Sequence, residues 1–239
     1  MDPTCAEVTV GSRTGRTVLA AAILGSSLAL LDSTVVNVAL RRIGEDLDAS
    51  LGELQWVSNG YLLSLASLTL LGGSLGDRFG RRRIFMTGVL GFALTSVACG
   101  LAPTASVLIL ARVAQGVAAA LLVPGSLAMI QGAFAPSDRS TAIGTWSGLG
   151  GVATAIGPFL GGWLVQQVSW RWVFLINLPV AVLTLLVARK VPETRDPAAV
   201  RGFDLSGAAL CALGLGGLTY GLIEWTTEPT VAVVALLVG

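Results

Sequence analysis

The sequence predicts an all-α, polytopic membrane protein. Three observations lead there. Of its 239 residues, 54% are hydrophobic and 12% charged, and the mean hydropathy is +0.78. A soluble domain of this length has no interior large enough to hide so much apolar surface. The charges bunch between long apolar stretches instead of alternating with them, as they do when helices cross a bilayer one after another. Basic residues crowd every second connection, the asymmetry that orients such helices.

The apolar runs read as spans at about Thr17–Ala39, Trp56–Leu75, Ile84–Leu101, Ala105–Ile130, Thr141–Val165, Trp172–Val187 and Leu205–Ile223. Each lies near the roughly 20 residues that cross a bilayer. The first is too long for a signal-peptide core and carries Asp32, so it is expected to stay as a span. An eighth run goes from Thr230 to Gly239. Ten residues of helix rise only about 15 Å, half a bilayer, so this span is read as incomplete.

Orientation follows from the cations. With the N-terminus in the cytoplasm, the inner segments hold Arg13, Arg16, Arg78, Arg81, Arg82, Arg83, Arg139, Arg189, Lys190, Arg195 and Arg201; the outer ones hold only Arg41, Arg42 and Arg171. Trp56, Trp170, Trp172 and Trp225 fall at outer ends, where an interfacial aromatic belt is expected. The chain divides into a polar tail over residues 1–16, expected to be mobile; a six-span block over 17–190; a polar loop over 191–204 with Pro192 and Pro197; and spans seven and eight over 205–239.

Several chemistries are excluded or disfavoured. There is no histidine, so the usual general base and metal ligand are missing, and no metal site is expected. Cys5, Cys99 and Cys211 stand apart, two of them inside apolar runs, and read as small fillers. A net charge of +1 gives no reason to expect nucleic acid. No nucleophile constellation suggests an enzyme.

Span one holds Asp32, the one acid deep in a span, and span four holds Arg112, the one deep base. Asp32 is eight residues before Leu40 and Arg112 eight past Thr104, so both lie about 12 Å below the outer face. Two readings stand. In one, the two share a polar cavity in which Asp32 takes and releases a proton; in the other they are a permanent structural pair. Intramembrane charges favour the first. Ser33, Thr34 and Asn37 make a polar stripe around Asp32, and Gln115 shares a helix face with Arg112. Thr34, Asn37 and Gln115 are therefore candidates for lining a substrate cavity; Asn37 also suits a bond to a neighbouring helix, and Gln115 the orienting of Arg112.

The connection between spans two and three contains Gly73, Asp77, Arg78, Gly80, Arg81, Arg82 and Arg83. The arginines alone would serve orientation. Asp77 is the odd member: it sits at a helix C-terminus, where the macrodipole is already negative, and needs either the adjacent arginines or another helix's N-terminus. Span five carries Gly144, Gly148, Gly150, Gly151, Gly157, Pro158, Gly161 and Gly162. Gly157 and Gly161 are one turn apart and permit close helix approach, and Pro158 removes a backbone donor and is expected to kink the helix. This helix is expected to pack tightly and to act as a hinge or sealing surface.

The six-span block is internally repeated. Spans one to three match four to six in length, and Gly72-Gly73-Ser74-Leu75 near the end of span two matches Gly161-Gly162-Trp163-Leu164 near the end of span five. Three spans is an odd number, so the second copy runs inverted, an arrangement common in transporters.

Together these stretches resemble the major facilitator superfamily. Gly73-x-Leu75-x-Asp77-Arg78-x-Gly80-Arg81-Arg82 is similar to its loop motif between spans two and three. Arg112-x-x-Gln115-Gly116 resembles the span-four motif of proton-coupled members, and Gly148 with Gly157-Pro158-x-x-Gly161-Gly162 the span-five motif of drug/proton antiporters. Leu31-Asp32-x-Thr34-x-Val36-Asn37-Val38-Ala39-Leu40 and Trp170-Arg171-Trp172-x-Phe174-x-Ile176-Asn177-x-Pro179 fit the fourteen-span branch. The resemblance implies efflux of lipophilic, often cationic compounds in exchange for protons, with the proton gradient as energy source and no cofactor. It implies proton coupling at Asp32 and Arg112, and a cytoplasmic latch at Asp77 and its arginines that grips the other half. It also makes this chain an N-terminal half, with spans seven and eight as linkers, in a cell membrane, needing a C-terminal half or second chain as partner. An uptake symporter of the same fold, or a membrane scaffold or sensor, is the alternative.

Overall fold

The computed structural model describes residues 8–196 and 205–224. Among them eight helices follow one another: α1 (Arg13–Leu47), α2 (Leu51–Phe79), α3 (Arg81–Gly100), α4 (Ala105–Ala133), α5 (Pro136–Gln167), α6 (Trp172–Leu175), α7 (Asn177–Ala188) and α8 (Leu205–Glu224). The one β-type pairing among these residues is an isolated parallel bridge between Val8 and Phe134. The expected eighth span, Trp225 and the latter part of the 191–204 loop lie outside the described residues.

The helices outrun the apolar stretches because polar caps set their ends. α1 starts at Ser12, whose Oγ accepts from the Gly15 N–H at 3.0 Å, and stops at Asp48 in the left-handed region. α2 starts five residues before the apolar run, on a capping box between Ser50 and Glu53. α2 and α3 are separated by Gly80 alone, at φ 114°, a conformation that a side chain disfavours. By length and composition α1, α3, α4 and α5 can each cross a membrane; α2 has the length, but polar residues spread along it leave no stretch of 18 residues as apolar as in those four.

The sixth span runs from Trp172 to Ala188 as expected, in two segments, α6 and α7, that meet at Ile176, where the backbone keeps helical angles (φ −62°, ψ −22°). Pro179 has no N–H to offer the Leu175 carbonyl, so one bond of the helix is missing at this turn. One expectation is corrected: the tail is not free throughout. The Val8 N–H donates to the Ala133 carbonyl (3.2 Å), the Val8 carbonyl accepts from Ala135 (3.3 Å), and the Val10 N–H donates to Asp138 Oδ2 (2.9 Å). The α4–α5 turn has backbone groups that neither helix uses, and Val8 satisfies two of them while Val10 bonds the Asp138 side chain.

Helix pairing bears the mark of the inverted repeat. α2 packs along α4 and α1 along α5; exchanging the first and second triplets turns one pair into the other. The matched glycines sit in equivalent places. A Cβ on Gly72 would collide with the Ala120 carbonyl oxygen of α4, and one on Gly161 would stand 3.0–3.2 Å from Val35 of α1. α1 and α4 meet each other, and α8 lies against α2, where Trp56 and Tyr220 rings are 6.3 Å apart.

The apolar core is in two parts. One includes Val18, Leu28, Phe85, Phe92, Leu122 and Phe134; the other includes Val35, Ile43, Val57, Leu108, Trp170 and Phe174. On α1 the first ends at Ala29 and the second begins at Val35. Asp32 lies at the join.

Candidate functional site

At that join α1 and α4 present Asp32 and Arg112 to each other, each 1% exposed. Arg112 Nη1 donates to Asp32 Oδ2 and, at 2.6 Å, to Gln115 Oε1; Arg112 Nε donates to the Val57 carbonyl of α2 at 3.1 Å. Asp32 Oδ1 accepts from Gln115 Nε2 (3.1 Å) and from Asn177 Nδ2 (2.9 Å). The same two amides reach Ser96 Oγ of α3 at 2.9 and 3.3 Å. The Arg112 guanidinium lies 4.2 Å from the Tyr61 ring centroid and 5.8 Å from that of Phe174, which adds cation–π attraction in a dry setting.

Local chain geometry explains the convergence. Arg112 and Gln115 are three apart on α4 and share a face. Asn177 is the first residue of α7, two before Pro179. A carboxylate and a guanidinium out of water need every lone pair and N–H matched; here three donor side chains surround one carboxylate. The expected polar cavity is instead closed around the pair. What space there is lies beside it, a cavity of about 50 Å3 bounded by Asp32, Asn177 and apolar residues including Leu28, Val35, Leu160 and Val173.

The three cavity candidates do not converge. Gln115 is fully buried within the cluster. Thr34 is turned toward α5, where a Gly157 Cβ would collide with its hydroxyl, and bonds to its own helix. Asn37 is exposed, donates to the Ser33 carbonyl and accepts from Ser58 of α2 at 3.3 Å. Asn177 and Ser96 are not among the expected site residues. A single amide two residues before a proline, inside an apolar run, is the available clue for Asn177; Ser96 gives none.

At the opposite end of α2, Asp77 finds its partner in the arginines. Arg81 Nε and Nη2 both lie 2.8 Å from Asp77 Oδ1. The start of the 191–204 loop holds this turn in place: Arg81 N–H donates to the Thr194 carbonyl (3.0 Å), Asp196 N–H to the Asp77 carbonyl (3.2 Å), and Arg82 Nη1 to the Val191 carbonyl (2.9 Å). Glu193, which no motif marks, accepts from the Arg82 N–H at 3.0 Å and lies 3.6 and 3.8 Å from the Arg82 and Arg83 side chains. A Cβ on Gly80 would meet its carboxylate at 2.7 Å. Gly73 faces little, since a Cβ there would find only the Pro124 side chain, 4.0 Å away, and Arg78 stacks on Phe79 at 5.2 Å.

In α5, Gly157 and Gly161 are pressed against α1, whereas Gly144, Gly148, Gly151 and Gly162 have nothing within 4 Å of a Cβ position. The helix runs through Pro158 without a break. Of the expected aromatic belt, Trp172 is half exposed but Trp170 is buried. Its Nε1 donates to Asp46 Oδ2 at 2.8 Å and its ring meets Phe174 edge-on; a satisfied N–H lets this tryptophan serve the interior.

Six spans in two inverted triplets, joined by a buried ion pair, define a secondary-transporter bundle. Residues 22–227 match the Major Facilitator Superfamily, and the chain belongs to that family. It is 44% identical over 209 residues to the tetracenomycin C resistance and export protein of Streptomyces glaucescens, covering 87% of this chain and 39% of that one. It is 39% identical over 226 residues to the multidrug resistance protein Stp of Mycobacterium tuberculosis, covering 92% and 42%. The chain thus spans about two fifths of the length of these curated relatives. Among solved structures, the peptide transporter POT superimposes with a TM-score of 0.69 at 15% identity, covering 94% of this chain and 49% of that one. The inward-open xylose transporter XylE of E. coli gives 0.65 at 18%, covering 93% and 55%. At these identities the likeness is one of fold.

Proposed function

We propose that this chain is the N-terminal half of a proton-coupled exporter of lipophilic, often cationic small molecules, working in the cell membrane with its N-terminus in the cytoplasm. The observation that carries the reading is the buried Asp32–Arg112 pair. In an all-apolar bundle such a pair costs more than an apolar replacement of the same shape, and intramembrane charges mark ion pathways. Protonation of Asp32 removes the charge that holds Arg112 Nη1 and frees the amides of Gln115 and Asn177. Because the five residues come from α1, α3, α4 and α7, one proton loosens contacts between both triplets. The proton gradient supplies the energy.

The relatives' resistance and export names support outward transport of drugs. The uncovered glycine stripe of α5 supports a second six-span half seated there, with the Asp77–Arg81 turn as the latch that docks on it. The test is proton-driven dye efflux by the full-length protein in inverted vesicles. Asp32→Asn should abolish exchange while leaving the protein folded; exchange that is unchanged in that variant removes Asp32 from coupling. Uptake in place of efflux in the same vesicles would make the protein a symporter.

A further inference from the structure

A second feature lies at the end of the bundle that holds the N-terminus. A groove of about 510 Å3 runs between the start of α1 and the end of α7, lined by Arg13, Arg16, Thr17 and Ala20 on one side and Leu183, Leu186, Val187 and Lys190 on the other. The first set has the spacing i, i+3, i+4, i+7 of one helix face; in the second, Leu183, Leu186 and Val187 share a face of α7 and Lys190 follows in the turn just past its end. The two segments run in opposite senses, yet both grade the same way, from cations at the membrane surface to apolar side chains deeper in. Arg13, Arg16 and Lys190 are exposed, and they make no ion pair among the described residues. Nearby acids are engaged elsewhere: Asp77 with Arg81, Glu193 with Arg82 and Arg83, Asp138 with the Val10 N–H.

We infer that this groove binds an anionic phospholipid, its phosphate among Arg13, Arg16 and Lys190 and one acyl chain along Ala20, Leu183, Leu186 and Val187. Orientation alone accounts for cations at this end. It does not require three cations without an ion pair among the described residues to converge on one groove, or an apolar floor directly below them. An anionic headgroup satisfies the first condition and an acyl chain the second. A soluble anion would satisfy the first alone.

The test is lipid retention by the full-length protein, delipidated and exposed to equal phosphatidylglycerol and phosphatidylcholine, read by native mass spectrometry. Retention of phosphatidylglycerol should exceed that of phosphatidylcholine by ~tenfold. Arg13→Ala/Arg16→Ala/Lys190→Ala should bring the ratio near unity, and Arg41→Ala/Arg42→Ala at the other end should leave it unchanged. Since removing cations can disturb insertion, Ala20→Trp fills the groove with every charge kept, and it too should remove the preference. No preference in the unmodified protein overturns the proposal. So does a preference that survives Ala20→Trp, which would mean diffuse surface charge, or displacement of the lipid by millimolar inorganic phosphate, which would mean an anion site without a lipid.

Discussion

Two carboxylate–arginine pairs in this molecule use the same chemistry in different solvents. Asp32–Arg112 is sealed in the bundle, with 0% and 1% of the two side chains exposed; Asp77–Arg81 lies at the surface, with 35% and 15% exposed. The carboxylate of the buried pair is held by the side-chain amides of Gln115 and Asn177, from α4 and α7, and Ser96 of α3 bonds both amides; Arg112 has one main-chain partner, the Val57 carbonyl. At the surface pair the neighbouring bonds run between main chains, from the Arg81 N–H to the Thr194 carbonyl and from the Asp196 N–H to the Asp77 carbonyl. Side-chain donors can rearrange when one charge is neutralised, while main-chain bonds do not depend on either charge. The inner pair is thus suited to switching and the outer one to holding two segments in register.

Breaking the inner pair should have the largest effect. Arg112→Ala leaves a buried carboxylate without its cation, and a loss of about 3–5 kcal/mol is expected in unfolding of the full-length protein in detergent. Asp32→Asn keeps shape and a hydrogen-bonding oxygen, so it should cost less stability than Arg112→Ala while abolishing proton-driven exchange. Equal stability of Arg112→Ala and the unmodified protein would place the pair in water.

The glycine contacts come next and compare the two repeats. Gly72→Val puts methyl groups into the Ala120 carbonyl and should cost about 1–3 kcal/mol. Gly161→Ala meets side-chain and backbone atoms of Val35 at 3.0 Å or more and should cost less, measured by the same unfolding. The reverse order would mean that α1–α5 is the tighter seam.

Smaller effects belong to the outer pair. Glu193→Gln should lower stability by about 1 kcal/mol, since its carboxylate accepts from the Arg82 N–H and faces two arginines from a partly exposed site. A sharper readout is hydrogen exchange, which should quicken at Arg81 and Arg82 with no change at Asp32. Glu45, held at the far end of α1 by Arg41 and Arg42 at 3.0 and 3.1 Å, is well solvated, and Glu45→Gln should leave the melting temperature where it is.

Depth is legible in the sequence because helical rise is linear: counting residues from each end of spans one and four puts Asp32 and Arg112 at one level, and they meet. The repeat is legible for a similar reason, since Gly72 and Gly161 are found at equivalent crossings. Rotation about a helix axis is harder to read. Thr34 is two residues from Asp32, so it points to α5 instead of to Arg112, and Asn37 faces Ser58. Asn177 and Ser96 join the cluster through the relative turn of α7 and α3, which no spacing within one segment reports. Glu193 sits in irregular chain with no periodicity, and its place depends on where the sixth span delivers it. Trp170 has the sequence position of a belt residue, but Asp46, far away along the chain, supplies an acceptor for its indole and draws it inside.

The pairing of Val8 with the Ala133–Ala135 backbone bears on how the protein can be handled and made. Residues 8–10 cannot settle until the ribosome has finished the fourth helix, so this early segment waits for the middle of the chain. Deleting residues 8–10 to shorten the N-terminus would strip the turn between α4 and α5 of these bonds, so a truncated version should begin ahead of Val8.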